Sequence, residues 1–293
     1  MNLVVSRNGN SFADVAATGN QRGTATALTN NGAAGAALQG LLRNPLAEPG
    51  LLGVSSSASL GAVLCLYYGL SGLSAWLVPL SAMGCAALTT LVLYAIARRS
   101  ASNLTLILSG VALSSLTAAL TSLAINLAPN PTDVQDIVLW LMGSLSDRSF
   151  ADIRLCLPFI AAGLLLLFAC GPQLDALTLG EDEASSLGVN LPRLRVQIIV
   201  GTALCVGASV AVTGAIGFIG LVVPHLLRKW VAYHPSRLLL SSALGGAVLL
   251  LAADILLRLV SGEQELMLGV VTAMIGAPFF LLLVLRQRLG AAC

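Results

Sequence analysis

The chain has 293 residues, of which 57% are hydrophobic and 10% are charged, and its mean hydropathy is +0.90. An ordinary soluble domain carries about 25% charged residues, so this composition indicates an integral membrane protein. The formal net charge of +2, with basic residues dispersed along the chain, argues against nucleic acid as a partner. Six widely separated cysteines, mostly inside apolar runs, are typical of small core residues rather than of a zinc site or disulfide framework.

The predicted elements begin after an atypical polar start. Residues 1–31 are rich in glycine and asparagine and contain neither a span-length apolar run nor a recognisable secretory signal. In residues 32–293, apolar runs near the length of a bilayer crossing alternate with short segments that hold nearly all the charges. The sequence therefore predicts an all-α integral membrane protein, a polytopic helical bundle of about eight spans at residues 53–70, 73–97, 103–128, 153–171, 195–215, 217–232, 238–260 and 266–286.

The distribution of basic residues predicts the direction of these spans. An even number of spans leaves both flanks on one side of the membrane. If residues before Gly53 are cytoplasmic, the single lysine and most arginines fall inside. Only Arg148, Arg154 and Arg258 then fall outside or near the outer end of a span, as the positive-inside rule favours.

The longest predicted outside loop, residues 129–154, contains a helix pattern. Thr132 with Gln135 three residues later matches a capping box, and apolar residues then recur at helical spacing. We expect this helix to lie on the membrane surface with Asp133 and Asp136 toward water, where an external protein can dock.

An acidic segment, residues 178–193, lies inside between the fourth and fifth predicted spans. Thr178 and Glu181 match a second capping box, three consecutive acids favour the helix N-terminus, and Gly188 is a typical helix stop. The Asn190–Pro192 sequence can start another short helix immediately, which predicts a helix-turn-helix on the cytoplasmic face. An ordinary solvated loop is the alternative.

The sequence shows no signature of a catalytic or metal site. Lys229 follows no glycine-rich loop, so the chain is not a P-loop ATPase by itself. Neither an H-E-x-x-H nor a G-x-S-x-G motif is present, and His225 and His234 lack an evident second donor, which favours structural roles. Asp254 is the acid clearly inside a span, and Arg258 one turn later favours a structural ion pair over a proton relay.

Two spans stand out by their small and polar residues. Hydroxyls at Thr105, Ser109 and Ser114 recur along the third span, so this helix faces protein or a water-filled path unless they bond back to their own helix. The last span carries glycines and Pro278, a pattern typical of a bent, tightly packed helix.

Four separated motifs carry a family resemblance: "LQGLLRNPLAEPGLLGVSSSASLGA", "LGEDEASSLGVNL", "GAIGFIGLVVPHLLR" and "LGVVTAMIGAPFF". Together they resemble the FecCD family, the membrane permeases of bacterial ABC importers for ferric siderophores, haem and vitamin B12. The match runs in order from about Gly35 to Arg288.

The resemblance implies a multi-pass subunit of the bacterial inner membrane, paired with a second copy or a close paralogue. It also implies a cytoplasmic ABC ATPase dimer and a periplasmic or lipid-anchored substrate-binding protein as partners. ATP and magnesium would bind the ATPase, and this chain would bind no cofactor. The acidic segment would be the coupling helix that contacts the ATPase, with the predicted contacts Thr178, Leu179, Gly180, Glu181, Asp182, Glu183, Ala184, Leu187 and Gly188.

The resemblance further implies transport by alternating access, without a catalytic residue or a resident metal. The family's translocation path runs along the dimer axis between the third and last predicted spans, with Thr105, Ser109, Ser114, Gly269, Gly276 and Pro278 as candidate lining residues. Arg148 and Arg154 are the candidate docking cations for the binding protein.

The chain departs from the family at its start. Family members usually have about ten spans, with two apolar helices before the N-P-L-A-x-P motif. Here residues 1–31 are polar, and only residues 32–42 match the second helix. We favour an upstream frameshift or wrong start, so that one to two helices are missing or corrupted, over a genuine eight-span variant.

Two other functions stay open from the sequence. An ion-coupled secondary transporter would use Asp254 as its coupling-ion site, and a truncated, non-functional permease remnant would bind neither partner. For the permease, a ferric siderophore is the expected cargo on family frequency alone, with haem and cobalamin as the other candidates.

Overall fold

The computed structural model describes residues 30–74, 76–99, 103–128, 130–145, 150–260 and 266–290. Within these ranges the regular structure is helical, without a β-strand, and short 3₁₀ turns occupy Pro49–Leu52 and Leu70–Gly72. The α-helices, numbered in chain order, are α1 Asn30–Leu41, α2 Val54–Tyr67, α3 Leu77–Arg99, α4 Asn103–Asn126, α5 Pro131–Leu141, α6 Phe150–Ala169, α7 Gly171–Leu177, α8 Glu181–Ser186, α9 Leu191–Thr213, α10 Ile219–Leu227, α11 Pro235–Val260 and α12 Leu268–Gly290.

Five of the described helices, α3, α4, α6, α9 and α11, are long and apolar enough to cross a membrane. Helices α2 and α12 have shorter apolar stretches, Val54–Tyr67 and Leu268–Leu283. The predicted all-α membrane bundle is therefore confirmed.

One predicted span, residues 217–232, has a different form from the one expected. Its helix α10 has nine residues, about 14 Å at 1.5 Å per residue, against roughly 30 Å of hydrocarbon. Phe218 has a φ of +67° and ends the helical geometry on one side, while Ala232 and Tyr233 also have positive φ on the other. Hydropathy reports the apolar run but not this break in the backbone, so the prediction of a full span here was wrong.

Helix α9 forms the centre of the bundle, with α1, α2, α3 and α6 packed around it. Close approach of α6 depends on glycine: a Cβ added at Gly163 would lie 2.8 Å from the Gly201 carbonyl oxygen and 2.6 Å from Cys205 Sγ. In a bilayer, where lipid is as apolar as leucine, such small-residue contacts let helices associate by van der Waals packing.

Helix α1 is almost completely buried, although its sequence starts with two asparagines. Asn30 Nδ2 donates hydrogen bonds of 2.9 Å to the Cys205 carbonyl oxygen and to Ser209 Oγ of α9. At Gly35 the backbone of α1 crosses that of Gly220 in α10 so closely that no side chain fits. Helix α1, which includes most of residues 32–42, is thus integrated in the core; the predictions for residues 1–29 lie outside the described residues.

The segment after α1 folds back against α10. Glu48 Oε1 accepts a 2.8 Å hydrogen bond from the Phe218 backbone N–H, one residue before α10 begins. Because the first four N–H groups of a helix lack intrahelical partners, a carboxylate here stabilises the start of α10. The sequence-based reading of acids inside spans missed Glu48, since it lies in a loop motif rather than in an apolar run.

Contacts at the two ends of the bundle follow the predicted alternation of spans. Segments predicted outside meet one another: the Ser144 N–H donates to the Thr213 carbonyl at 2.8 Å, and the Gly269 N–H donates to the Gly143 carbonyl at 3.2 Å. Segments predicted inside meet at the other end, where the Ser236 N–H donates to Asp175 Oδ1 at 2.9 Å.

The outer-loop helix α5 starts differently from its predicted capping box. It begins at Pro131 with Asn130 as the N-cap, and no side chain caps it, so the Thr132–Gln135 capping box was wrong. Proline at the first helical position has no N–H to satisfy and is preorganised in φ, so it starts the helix two residues earlier than a capping box at Thr132 would. Ile137 is buried and anchors α5 against α2 and the outer end of α4.

Candidate functional site

The acidic segment, residues 178–193, begins with a tight break between α7 and α8. Thr178 Oγ1 donates to the Asp175 carbonyl oxygen at 2.7 Å, so it belongs to the end of α7. The N-cap of α8 is Gly180, with a φ of +139° and no side-chain cap. The Thr178–Glu181 capping box was therefore wrong, because the threonine hydroxyl is already committed to the preceding turn.

The end of α8 has the geometry that the glycine predicts. Gly188 has a φ of +88°; its N–H donates to the Ser185 carbonyl, and the Val189 N–H donates to the Ala184 carbonyl, both at 3.0 Å. This pair of bonds is a Schellman motif, which satisfies the last carbonyls of a helix.

The helix that follows is not the separate short one predicted. Asn190 Oδ1 accepts a 3.0 Å hydrogen bond from the Arg193 N–H and caps a helix that continues from Leu191 to Thr213. The acidic segment thus leads directly into the central span α9, and one rigid helix joins the surface to the core.

Helix α8 presents an acidic face bordered by leucines. Ala184 is fully buried and holds α8 against the core. Asp182 and Glu183 are exposed, and Leu179 and Leu187 at the two ends of the helix are each 65% exposed. Exposed apolar side chains beside charges are typical of a protein-docking surface. We call these four side chains the α8 face.

Glu181, the first of the three acids, has partners inside the chain. Its carboxylate pairs with Arg195 of α9, with Nη2 3.3 Å from Oε2, and it accepts a 3.2 Å hydrogen bond from Asn103 Nδ2 of α4. Arg195 Nε in turn donates to Asn103 Oδ1 at 3.0 Å. Sequence reasoning missed Asn103 and treated Arg195 only as an inside charge, because its partners are distant in sequence.

Two candidate path residues of α4, Ser109 and Ser114, have hydrogen-bond partners within the described chain. Ser109 Oγ donates to the Thr105 carbonyl at 2.7 Å, so this hydroxyl bonds back to its own helix. Ser114 Oγ instead reaches the Gly50 carbonyl at 3.4 Å, in the 3₁₀ turn before α2.

The candidate path residues of α12 lie against other elements. Gly269 meets the backbone carbonyls of Met142 and Ala215, and Gly276 lies on the ring of Phe218, so both glycines permit close approach. Pro278 is exposed. Helix α12 packs on α10 and α11, whereas α4 packs on α2, α3 and the 3₁₀ turn before α2. Within the described residues, the two helices therefore pack mainly on different neighbours.

An open groove of about 490 Å³ lies beside Gly269 at the end of the bundle predicted outside. Its wall is predominantly apolar and comes from the end of α5, the turn after α9 and the first half of α12. The lining residues are Leu141, Met142, Ala215, Gly269, Val270, Ala273 and Met274.

The remaining predicted residues are placed as follows. Arg154 is exposed near the start of α6, while Arg148 lies outside the described residues. The ring of His225 packs edge-on against Phe279 with centroids 5.8 Å apart, as a structural histidine does. Asp254 is buried, but the side chain of Arg258 is outside the description, so their ion pair stays a prediction. The described residues include no cluster of three metal-ligating side chains.

Comparison of the sequence with known proteins gives consistent matches. The FecCD transport family matches over residues 29–286. The chain is similar to the uncharacterized ABC transporter permease protein YvrB of Bacillus subtilis, with 42% identity over 88% of this chain and 74% of that protein. It is also similar to the vitamin B12 import system permease protein BtuC of Salmonella paratyphi A, with 41% identity over 86% of this chain and 77% of that protein.

Solved structures show the same fold. An inward-facing conformation of a metal-chelate type ABC transporter has a TM-score of 0.84 and 31% identity, covering 91% of this chain and 85% of that one. PsaBC of Streptococcus pneumoniae, at a TM-score of 0.57 and 20% identity over 89% of each chain, supports the fold alone. The chain is a multi-pass membrane permease, and it belongs to the FecCD transport family.

Proposed function

We propose that this chain is the membrane permease of an ABC importer whose separate ATPase docks on the α8 face. The observation that carries the proposal is the exposure of Asp182, Glu183, Leu179 and Leu187 on a helix that Ala184 anchors in the core. The flanking residues of the predicted contact set, Thr178, Gly180 and Gly188, shape the backbone around that face. ATP and magnesium would bind the ATPase.

The α8 face suits an ATPase that binds the permease and also displaces α8. Carboxylates provide charge complementarity to bases on the ATPase, and the leucines provide apolar contact that excludes water. Because α8 leads into α9 through the Asn190 cap, a displacement of the face reaches the centre of the bundle along a continuous helix. This connection supports the proposed mechanism, alternating access between outward-open and inward-open packings.

Two copies of the chain would form the translocation path. The described residues leave most of the surface of α4 uncovered, and α12 borders an outer groove. Pairing of two chains would bring such surfaces together on a shared axis, as the family predicts. Among the path candidates, Ser114, Gly269 and Gly276 contact other elements of the chain.

The proposed cargo is a large metal chelate: a ferric siderophore, haem or cobalamin. Support comes from the names of the similar proteins, one a vitamin B12 permease and one a metal-chelate type transporter. An apolar, open groove suits a bulky ligand that the binding protein has already selected. Binding-protein docking at Arg148 and Arg154, and residence in the bacterial inner membrane, are parts of the same proposal.

Co-purification tests the docking surface. We expect the chain to retain its ATPase in detergent and the double variant Asp182→Ala/Glu183→Ala to lose about tenfold in affinity, near 1.4 kcal/mol, because two charged contacts are removed. Asp136→Ala, an exposed acid of α5, is the matched control and should leave retention unchanged. Equal retention by the double variant and the parent chain would contradict docking through these acids.

A further inference from the structure

Three side chains from three separate elements close a ring of hydrogen bonds at the inner end of the bundle. Asn103 is the first residue of α4, Glu181 the first residue of α8, and Arg195 lies in the second turn of α9. Asn103 donates to Glu181 and accepts from Arg195, while Arg195 donates to both Glu181 oxygens at 3.3 and 3.4 Å. Each member therefore contacts the other two.

Because Arg195 is buried, losing only one partner of this ring is unfavourable. The Arg195 side chain is 4% exposed, and its charge is compensated by Glu181, whose side chain is 41% exposed. Removing one partner of a buried ion pair leaves an uncompensated charge, which is far less favourable than keeping or replacing the whole pair. Arg195 and Glu181 should therefore stay together when α8 is displaced.

The position of α8 depends on side-chain contacts more than on the backbone that flanks it. Gly180 and Gly188, which flank the helix, both have positive φ, and the turn at Gly180 lacks a side-chain cap. Ala184 is the apolar anchor of α8 in the core. The polar contacts described between α8 and the spans are the bonds of Glu181. Those bonds lead to α4 as well as to α9.

We propose that Asn103, Glu181 and Arg195 form a transmission network through which a displacement of α8 moves the inner end of α4. The inference rests on the proposed function, since the displacement comes from an ATPase docked on the α8 face. It divides the three acids into two tasks: Asp182 and Glu183 face the partner, and Glu181 faces inward. Asn103 is a positioning residue that connects α4 to a charge pair held by α8 and α9.

A cargo-independent labelling experiment tests this network. Leu108 of α4, which is 60% exposed, is replaced by cysteine in a chain whose native cysteines are alanine, and the complex with the ATPase is reconstituted in liposomes. Trapping with ATP and vanadate should change the rate of maleimide labelling at position 108 by about threefold or more. With Asn103→Ala added, this change should fall to less than about 1.5-fold, while ATP turnover stays within about twofold.

Two further variants separate transmission from folding. Glu181→Gln/Arg195→Met removes both charges without leaving a buried guanidinium unpaired, and it should lose the labelling change as Asn103→Ala does. Asn126→Ala, at the other end of α4, is the matched control and should retain it.

The outcomes distinguish this inference from the proposed function. Loss of ATPase retention by the parent complex would contradict the proposed function itself. A retained ATPase with an unchanged labelling response in Asn103→Ala, or with no response at position 108 in the parent, would overturn the transmission network alone.

Discussion

Helices α9 and α4 are nearly identical in the properties that a hydropathy scan measures, yet they occupy opposite environments. They have 23 and 24 residues and are almost equally apolar, but an 18-residue stretch of α9 is 78% buried inside the described protein, against 17% for α4. Hydropathy therefore places a helix in the membrane without saying whether protein or lipid surrounds it.

The contacts of the two helices differ in the same way. Helix α9 carries Gly201, Gly207 and several alanines on faces that touch four neighbouring helices, so their backbones can approach closely. Helix α4 carries large exposed leucines, such as Leu108, Leu116 and Leu123, around most of its circumference. Both helices contain many small residues, so their number alone does not identify the central helix.

Polar residues divide in the same way. In α9, Ser209 exchanges hydrogen bonds with Asn30 of another helix, at 2.9 and 3.0 Å. In α4, Ser115 donates to the Val111 carbonyl of its own helix at 2.9 Å. Ser209 of α9 thus connects two helices, whereas Ser115 of α4 bonds to the backbone of its own helix.

The largest expected effect is at the seam between α6 and α9. Gly163→Val would press a side chain against the Gly201 carbonyl and Cys205, and we expect a loss of about 3 kcal/mol or more, or no folded protein. Thermal unfolding followed by size-exclusion chromatography in detergent measures it.

The matched control for the seam is Gly84→Val in α3, where an added Cβ meets nothing within 4 Å. Valine has a higher helix propensity than glycine, so this variant should be as stable as the parent or slightly more so. Equal destabilisation at positions 84 and 163 would show that close packing at Gly163 does not account for its expected effect.

An intermediate effect is expected on α4, if its exposed leucines face a second copy of the chain. The double variant Leu116→Asn/Leu123→Asn should weaken dimers about tenfold, near 1.4 kcal/mol, and leave the monomer fold intact. Light scattering in detergent measures the oligomeric state.

Leu165→Asn on α6, where the side chain is 70% exposed, is the control for the dimer experiment. Weakening by the α6 variant but not by the α4 variant would move the dimer contact to α6. In that case lipid, rather than protein, covers α4.

The smallest expected effect on stability comes from removing serine hydroxyls. Ser209→Ala removes one of the two partners of Asn30, and interhelical hydrogen bonds in membranes contribute about 0.6–2 kcal/mol, so we expect a loss near 1 kcal/mol. Ser115→Ala, with a hydroxyl bonded to its own helix, should be neutral. If the unfolding curves of the two variants coincide, hydrogen bonds of serine do not distinguish α9 from α4.

Several features of the site were predictable because they depend on nearby residues. The glycine stop at Gly188 and the asparagine start at Asn190 are contacts between residues a few positions apart, and both are present. The capping box at Thr178 failed at the same short range, because its hydroxyl had a competing carbonyl one turn earlier. Local patterns name the candidates for a bond but do not choose between them.

The sequence by itself determined the membrane class, the position of most spans, the acidic helix and the family, since these depend on composition, short spacings and recognisable motifs. Only the tertiary structure decided that α9 is central, that α10 is a short helix started beside Glu48, and that Glu181 faces inward. Asn103 and Arg195 are 92 residues apart. Contacts at such separation depend on how whole helices pack, and no short stretch of sequence contains that information.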